Sequence, residues 1–150
     1  MSDYGQTKLI LEQHYGKNHV QVAIMLTSLG STYRKLGESQ KAKILLEQAL
    51  KIVEHAYHPR HPHIAYPLTS LGEIYRELGK LDFAEKCLER ALKVKIAYYG
   101  SSHPPVASTL RSLGAVYSHL GKHSEGEAHL EKALELLKQH SVKVSYQRKL

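Results

Sequence analysis

The sequence predicts an all-α fold, a right-handed solenoid of stacked antiparallel helical hairpins. The first observation is an internal period, because a Leu-Gly pair recurs at residues 29, 71 and 113, in steps of 42. The second is that apolar residues within each unit recur at steps of three and four, which is the period of an amphipathic helix. One hairpin cannot bury both of its apolar faces, whereas stacked hairpins can. The same 42-residue step joins Tyr33, Tyr75 and Tyr117, then Leu36, Leu78 and Leu120, then Ala49, Ala91 and Ala133, then His19, His61 and His103.

The first helix of each unit is clearest in the second copy. Ala65, Leu68, Leu71 and Tyr75 follow the helical period, and Gly79 predicts the left-handed residue that commonly ends a helix. A His-Pro pair precedes two of the first helices, and proline is well tolerated in a first turn. The recurring histidine is therefore expected to cap the helix that follows it or to pack between units.

The second helix of the middle unit is predicted to begin near Asp82. Glu85 stands three residues later, which is a capping-box pattern, and Ser124 with Glu127 repeats it one unit on. The glycines of the Leu-Gly pairs cost helix stability, so their recurrence indicates close approach of the paired helix. The small residues expected to face them are Ala42, Ala84 and Gly126.

The chain is predicted to form a single domain, residues 1–150. Three repeats span 20–58, 62–100 and 104–140, and a tail spans 141–150. Residues 1–16 are predicted to be the partial helix of an incomplete unit, because Lys8–Tyr15 aligns with Leu50–Tyr57. This start is explained either by a segment cut from a longer array or by a truncated cap. The apolar edge at residues 9–11 could also pair with a second copy of the chain, giving a homo-oligomer.

Composition narrows the function classes. Hydrophobic residues make up 42% and charged residues 23% of the chain, which is typical of a globular protein. No apolar stretch approaches the length of a membrane span, and the first four residues lack the pattern of a secretory signal. We therefore expect a cytoplasmic protein with no membrane partner. The formal net charge of +7 is the one feature that favours nucleic-acid binding. Because net charge alone is weak support, no nucleic-acid partner is predicted.

Catalytic and metal chemistry find little support in the sequence. It contains no phosphate-binding glycine loop and no nucleophile elbow, so we expect neither enzyme activity nor a cofactor. Cys87 aligns with apolar Leu45 and is expected to be a buried structural thiol. The cluster of His58, His61 and His63 could bind a metal, but its recurring His61 favours a structural role. The tyrosine stripe is expected to be core packing.

The repeated unit resembles the tetratricopeptide (TPR) repeat. The resemblance rests on L-G-x-x-Y-x-x-L-G followed by A-x-x-x-L-E-x-A-L, and it covers residues 23–53, 65–95 and 107–137. The unit is eight residues longer than the usual repeat of about 34, and it is similar to the longer subclass found in kinesin light chains. Kinesin light chains carry asparagines in the first helix, and chaperone-binding members of the family carry a lysine-rich clamp that binds a carboxylate. Both features are missing here, and the asparagine positions are occupied by Thr27-Ser28, Thr69-Ser70 and Arg111-Ser112. The resemblance thus implies general peptide binding.

In this family the first helices line a concave groove that holds a peptide. The positions flanking the apolar stripe are expected to form it here, and the helical period predicts that they are exposed. Their arginines and lysine outnumber their glutamates, with Arg34, Arg76 and Arg111 as charged anchors, so a mildly acidic peptide is expected. The candidate peptide-binding residues are Thr27, Ser31, Arg34, Lys35, Tyr66, Thr69, Glu73, Arg76, Arg111 and His119.

Two functions follow from this interpretation. The first is a non-catalytic protein-interaction module that binds a peptide segment of a partner protein in the groove. The alternative is a structural scaffold or oligomerisation segment of a longer array, in which the groove is empty.

Overall fold

The computed structural model describes residues 3–16, 19–101 and 103–149, and every regular element within them is an α-helix. α1 belongs to the incomplete unit, and each later pair of helices forms one hairpin. The bounds are Asp3–Tyr15 (α1), Val20–Lys35 (α2), Ser39–Ala56 (α3), Pro62–Glu77 (α4), Leu81–Tyr99 (α5), Pro104–His119 (α6) and His123–Lys149 (α7). The all-α fold predicted from the 42-residue period is confirmed.

The short links inside the hairpins end in glycines. Gly79 has φ +77°, the left-handed conformation predicted for it, and the Lys80 N–H then donates to the Tyr75 carbonyl at 2.8 Å. The capping-box prediction is wrong. α5 begins at Leu81 after Lys80, which makes no side-chain cap, and Asp82 lies within the first turn, where its charge suits the helix dipole. The tight turn at Gly79 brings the chain into the helix before Asp82 could cap it.

The recurring histidines stand immediately before the first helices. The Nδ1 atom of His19 accepts from the Gln21 N–H at 3.0 Å, and Nδ1 of His61 accepts from the His63 N–H at 3.2 Å. His103 makes no side-chain cap and instead stacks on Tyr99, with ring centroids 4.6 Å apart. Capping and packing between units, both predicted for this position, are therefore both used.

The helical glycines mark the closest approach of paired helices. A Cβ added at Gly72 would lie 2.5 Å from Leu88 Cγ, and one at Gly114 would lie 2.7 Å from Leu130 Cγ. The close approach is confirmed, but leucine is the nearest neighbour. The predicted small partner also contributes, because the Gly126 carbonyl would lie 3.0 Å from a Cβ at Gly114. Any side chain at Gly72 would displace Leu88, which is fully buried.

The hairpins stack so that the first helices lie side by side. α2 contacts α4, and α4 contacts α6, whereas among the described residues no two second helices meet. The first helices are thus more closely spaced and form the inner surface of the stack, which we define as the face of α2, α4 and α6. The core consists of three clusters of buried residues, which half-buried Tyr75 and Leu92 connect. Leu46, Ile64 and Leu71 belong to the first cluster and Leu113 to the second, and each is almost fully buried.

The tyrosine stripe does more than pack. The Tyr75 hydroxyl donates to Glu47 Oε1 at 2.8 Å, and the Tyr117 hydroxyl donates to Glu89, so each bridges to the second helix of the preceding repeat. Packing alone, the sequence-based explanation, is therefore incomplete. Gly5 stands one repeat before Glu47, so Tyr33 has no equivalent carboxylate to reach.

The two ends differ from the sequence-based expectation in one respect. Residues 141–149, predicted to be a tail, continue α7, because no glycine or proline follows Gly126. Met1 and Leu150 lie outside the described residues. On α1, Leu9 and Ile10 are exposed, as a docking edge would require. None of the described helices combines the length and the apolar character that crossing a membrane requires.

A row of pockets as the candidate functional site

Among the described residues, three pockets lie along the inner surface, one at each repeat. Their first-helix linings are in register at steps of 42 residues. The walls of the first two pockets are completed by the end of a second helix and the start of the next first helix, whereas the third pocket is completed by α7 alone. The equivalent first-helix positions are Val20, Ala23, Ile24 and Thr27 in the first pocket, Pro62, Ala65, Tyr66 and Thr69 in the central pocket, and Pro104, Ala107, Ser108 and Arg111 in the third pocket.

The first pocket is apolar. Its volume is about 220 Å³, and it lies between the N-terminal halves of α2 and α4. Val53 from α3 forms its floor, and Tyr66 and Pro67 form the far wall. Ser28 supplies a hydroxyl at the edge.

The central pocket is the largest of the three, at about 450 Å³. Hydroxyl groups ring it, from Tyr66, Ser70, Tyr99 and Ser108 among others. Lys95 of α5 reaches into it, and the Lys95 ammonium donates to Thr109 Oγ1 at 2.7 Å. Burial lowers the pKa of Lys95. This pocket therefore combines room for a side chain with a half-buried positive charge.

The third pocket, of about 260 Å³, opens at the end of the stack between α6 and α7. Arg111 lies at its rim, and Leu137 occupies the position that Val53 and Lys95 hold in the other two pockets. Leu130 and Leu134 form an apolar strip along α7 that is 41% and 54% exposed. An apolar ligand could bury this strip, at roughly 25 cal/mol per Å² of apolar surface removed from water.

The predicted exposure is wrong for Thr27. Its side chain is 3% exposed, and its hydroxyl donates to the Ala23 carbonyl at 2.8 Å, so it lines the first pocket from within the helix packing. Thr69 makes the equivalent bond to the Ala65 carbonyl at 2.8 Å and is half-buried. In both cases the hydroxyl donates its hydrogen bond to a carbonyl of the preceding helical turn. Because the hydroxyl then needs no water, the threonine can lie closer to the core than the helical period predicts.

Two of the three predicted charged anchors, Arg34 and Arg76, belong to one network. Arg34 Nε donates to Glu77 Oε1 at 2.7 Å, and its Nη2 lies 3.6 Å from Glu73 Oε2. Arg76 Nη2 donates to the same Glu73 oxygen at 2.8 Å. The network joins α2 to α4, so these two arginines already hold carboxylates of their own chain. Both arginines therefore have partners within the chain, and their role as peptide anchors stays a prediction.

Glu73 is the centre of this network. Burial would raise the pKa of Glu73, but hydrogen bonds from Ser112 and Arg76, together with the charges of Arg76 and Arg34, outweigh burial and lower that pKa. The carboxylate therefore stays charged and ties all three first helices together through α2, α4 and α6. The end of the inner surface around Glu73 therefore stabilises the stacking of the repeats.

The other predicted residues are dispersed. Tyr66 is 65% exposed and lies between the first and central pockets, where it contributes to both. Arg111 is exposed at the third pocket, and Ser31 is half-buried on α2. Lys35 is exposed at the end of α2, and His119 is exposed at the end of α6, where its ring bonds the Ala115 carbonyl at 2.7 Å. The last two line none of the three pockets.

Lys95 is the residue that sequence reasoning missed. Its signal was present in the repeat itself, because a lysine stands at 95 where Val53 and Leu137 occupy the equivalent positions. A charged residue at a repeat position that is otherwise apolar indicates either that the position tolerates a charge or that the charge has a function. Lys95 lies on a second helix, whereas the family resemblance predicts groove residues on the first helices.

Of the histidine and cysteine candidates, only His63 lines a pocket of this row, the first. His61 stacks on Tyr57, with centroids 4.0 Å apart, and its Nδ1 is used as a helix cap. Within the described part of the chain, no three His, Cys, Asp or Glu side chains are grouped as metal ligands. Cys87 is half-buried, and burial is the main cause that raises the pKa of its thiol to about 11, which makes it a poor nucleophile.

Comparison with solved structures finds extensive similarity in fold. BtubC from P. vanneervenii matches with a TM-score of 0.83 and 22% identity, over 92% of this chain and 55% of BtubC. The repeats of a Podosopora anserina protein assigned as a kinesin light chain match with a TM-score of 0.76 and 22% identity, over 92% of this chain and 65% of theirs. This chain thus spans less than two thirds of either protein.

A shorter match is the second TPR domain of Spaghetti (RPAP3), solved with the HSP90 peptide SRMEEVD. The TM-score is 0.60 and the identity 20%, over 76% of this chain and 91% of that one. A search of curated proteins finds no match. The family model described as tetratricopeptide repeat matches residues 3–55 and 63–139, which is most of the sequence. With the 42-residue period and the stacked hairpins, this match shows that the chain belongs to the tetratricopeptide repeat family.

Proposed function

We propose that this chain is a non-catalytic protein-interaction module that binds an extended peptide segment of a partner protein along its inner surface. The observation that supports this most strongly is the row of three pockets in register. A repeated pocket suits a chain whose side chains recur at a regular spacing, as those of an extended peptide do.

The chemistry of the linings suits such a ligand. Apolar floors and aromatic walls receive side chains, while short hydroxyls at Ser28, Ser70 and Ser108 can pair with the peptide backbone. TPR proteins mediate protein–protein interaction, and the RPAP3 domain was solved with a bound peptide. Because Arg34 and Arg76 are paired within the chain, the pockets are better candidates for the binding surface than the arginine network.

The test is a selection from a display library of random 12-residue peptides on purified wild-type protein. Ser108→Trp is the blocking variant, because Ser108 is exposed and borders the central and third pockets. Ser124→Trp, at an exposed site at the start of α7, is the matched control. Peptides that share a motif and bind wild type and Ser124→Trp, but not Ser108→Trp, would support groove binding. Equal binding to both variants, or no enrichment on wild type, would contradict it.

A second function is favoured by the apolar strip of Leu130, Leu134 and Leu137 on α7. In this candidate function the chain is a scaffold, and the strip packs against another hairpin or a second copy of the chain. Sedimentation velocity over a hundredfold concentration range tests self-association. Concentration-dependent dimers that Leu134→Glu abolishes would support it, and a monomer throughout would contradict it for this chain alone.

A further inference from the structure

We propose that the central pocket selects an acidic side chain of the bound peptide through Lys95, while the pockets on either side take apolar side chains. This inference rests on the proposed function and adds a sequence preference to it. Its physical basis is a positive charge at one of three otherwise equivalent positions.

Lys95 is held in place but not neutralised. Its Nζ donates to Thr109 Oγ1 at 2.7 Å, and Thr109 is fully buried and donates in turn to the Pro105 carbonyl at 3.1 Å. An ammonium group has three donors, so this bond leaves two more. Among the described residues, no carboxylate lies within 4 Å of Nζ. The pocket around it offers hydroxyls and apolar walls, with no internal counter-charge.

Burying the Lys95 ammonium without a counter-charge costs free energy, and a bound carboxylate would offset that cost. Burial lowers the pKa of Lys95, because removing the ammonium group from water destabilises its charged form. A carboxylate entering the pocket would supply charge-assisted hydrogen bonds in a partly desolvated site, where they are stronger than in water. The exposed Arg111, one pocket along, adds a second positive charge on the same surface.

The other arginines of the inner surface do not offer the same site. Arg111 is exposed at the rim of the third pocket, so water and salt screen its charge. Arg34 and Arg76 already hold Glu73 and Glu77, so an acidic ligand at that end would compete with two internal carboxylates. Lys95 stands apart from this network, because it donates to the neutral hydroxyl of Thr109. Acid selection is therefore expected at the central pocket.

The register of the pockets predicts a spacing. Val53 and Leu137 replace Lys95 in the pockets on either side, so those pockets favour apolar groups. Neighbouring packed helices lie roughly 8–10 Å apart, and an extended chain rises about 3.3 Å per residue. Equivalent pockets are therefore about three residues apart. The expected motif is apolar-x-x-acidic-x-x-apolar, which reads the same in both chain directions.

The experiment compares two synthetic libraries with that frame, one with Glu and one with Gln at the central position. Both are acetylated and amidated at their ends, so that a free C-terminal carboxylate cannot act as the ligand. Binding is measured on wild type, Lys95→Met and Lys93→Met. Methionine keeps an unbranched stem without the charge, and Lys93 is an exposed lysine on the same helix that borders none of the three pockets. Circular dichroism verifies that the variants are helical.

We expect wild type and Lys93→Met to bind the Glu library at least about tenfold more tightly than the Gln library, which corresponds to about 1.4 kcal/mol. Lys95→Met should lose this preference while still binding the apolar frame. Equal binding of both libraries to wild type would overturn the role of Lys95 and leave the peptide groove intact. A preference for the Glu library that persists in Lys95→Met would also overturn the role of Lys95 and leave the peptide groove intact. Binding of neither library to wild type would overturn both proposals. If Lys95→Met is not helical, Lys95→Gln replaces it under the same criteria.

Discussion

Replacing Glu73 by glutamine tests whether the charge network couples the repeats. Glu73 is only 14% exposed at its side chain and accepts from Arg76 Nη2 at 2.8 Å, with Arg34 Nη2 at 3.6 Å. Glutamine keeps the shape and one acceptor oxygen but loses the charge. Hydrogen bonds to charged groups contribute about 1.5–3 kcal/mol, and charge assistance supplies roughly half of their strength. We therefore expect Glu73→Gln to lower the free energy of unfolding by about 1–2 kcal/mol at pH 7.

The assay is urea unfolding followed by circular dichroism, with Glu77→Gln as the control. Glu77 pairs with Arg34 at 2.7 Å but is 32% exposed, so its loss should cost less, about 0–1 kcal/mol. A similar or larger loss in Glu77→Gln would contradict the central role of Glu73, as would no loss at all in Glu73→Gln.

The pH dependence of this loss has a defined sign. The folded-state pKa of Glu73 is lowered, so its stabilisation is fully present above the unfolded pKa of about 4.3 and disappears as the pH falls through the folded value. The difference between wild type and Glu73→Gln should therefore shrink below about pH 4. A difference that grows on acidification would refute the reasoning.

Three further predictions concern the packing between helices and the single thiol. Gly72→Ala should lower the free energy of unfolding in urea by about 1–2 kcal/mol, because the new Cβ would lie 2.5 Å from Leu88 Cγ. The better helix propensity of alanine offsets only part of this cost. An unchanged urea midpoint would show that the two helices can separate freely. Tyr75→Phe should cost about 1 kcal/mol through its lost bond to Glu47, and Tyr33→Phe should cost less; equal losses would argue against the bridge between repeats. Cys87, with a thiol pKa of about 11, should be alkylated by iodoacetamide at pH 8 roughly a hundredfold more slowly when folded than in urea, and equal rates would contradict its burial.

The fold could be predicted from the sequence because the repeat supplies three copies of the same signal. The helical period, Gly79 and the histidine before each first helix are local features, and each acts within a few residues of its position. The start of α5 was predicted to within one residue, but its capping residue was not, because the chain enters the helix from the turn at Lys80 and Asp82 already lies in the first turn.

The candidate site was harder to predict because exposure and pairing depend on neighbouring repeats. The helical period places Thr27 toward solvent, but its hydroxyl folds back onto the Ala23 carbonyl and the residue is buried. Nothing in the local pattern shows that Arg34 meets Glu77, because the two lie 43 residues apart in sequence. Lys95 was visible as an exception to the repeat, but its significance depends on the pocket that the stacked hairpins form.

The most direct test of the central claim is to map a bound peptide on the protein by amide chemical shifts. A library-selected peptide is titrated into ¹⁵N-labelled wild-type chain, and the shifted residues are located on the structure. The account predicts the largest shifts along the inner surface, at Ile24, Tyr66 and Ser108 and their neighbours. Shifts concentrated instead at the cleft between α1 and the first hairpin, around Gln48 and Lys51, would contradict it.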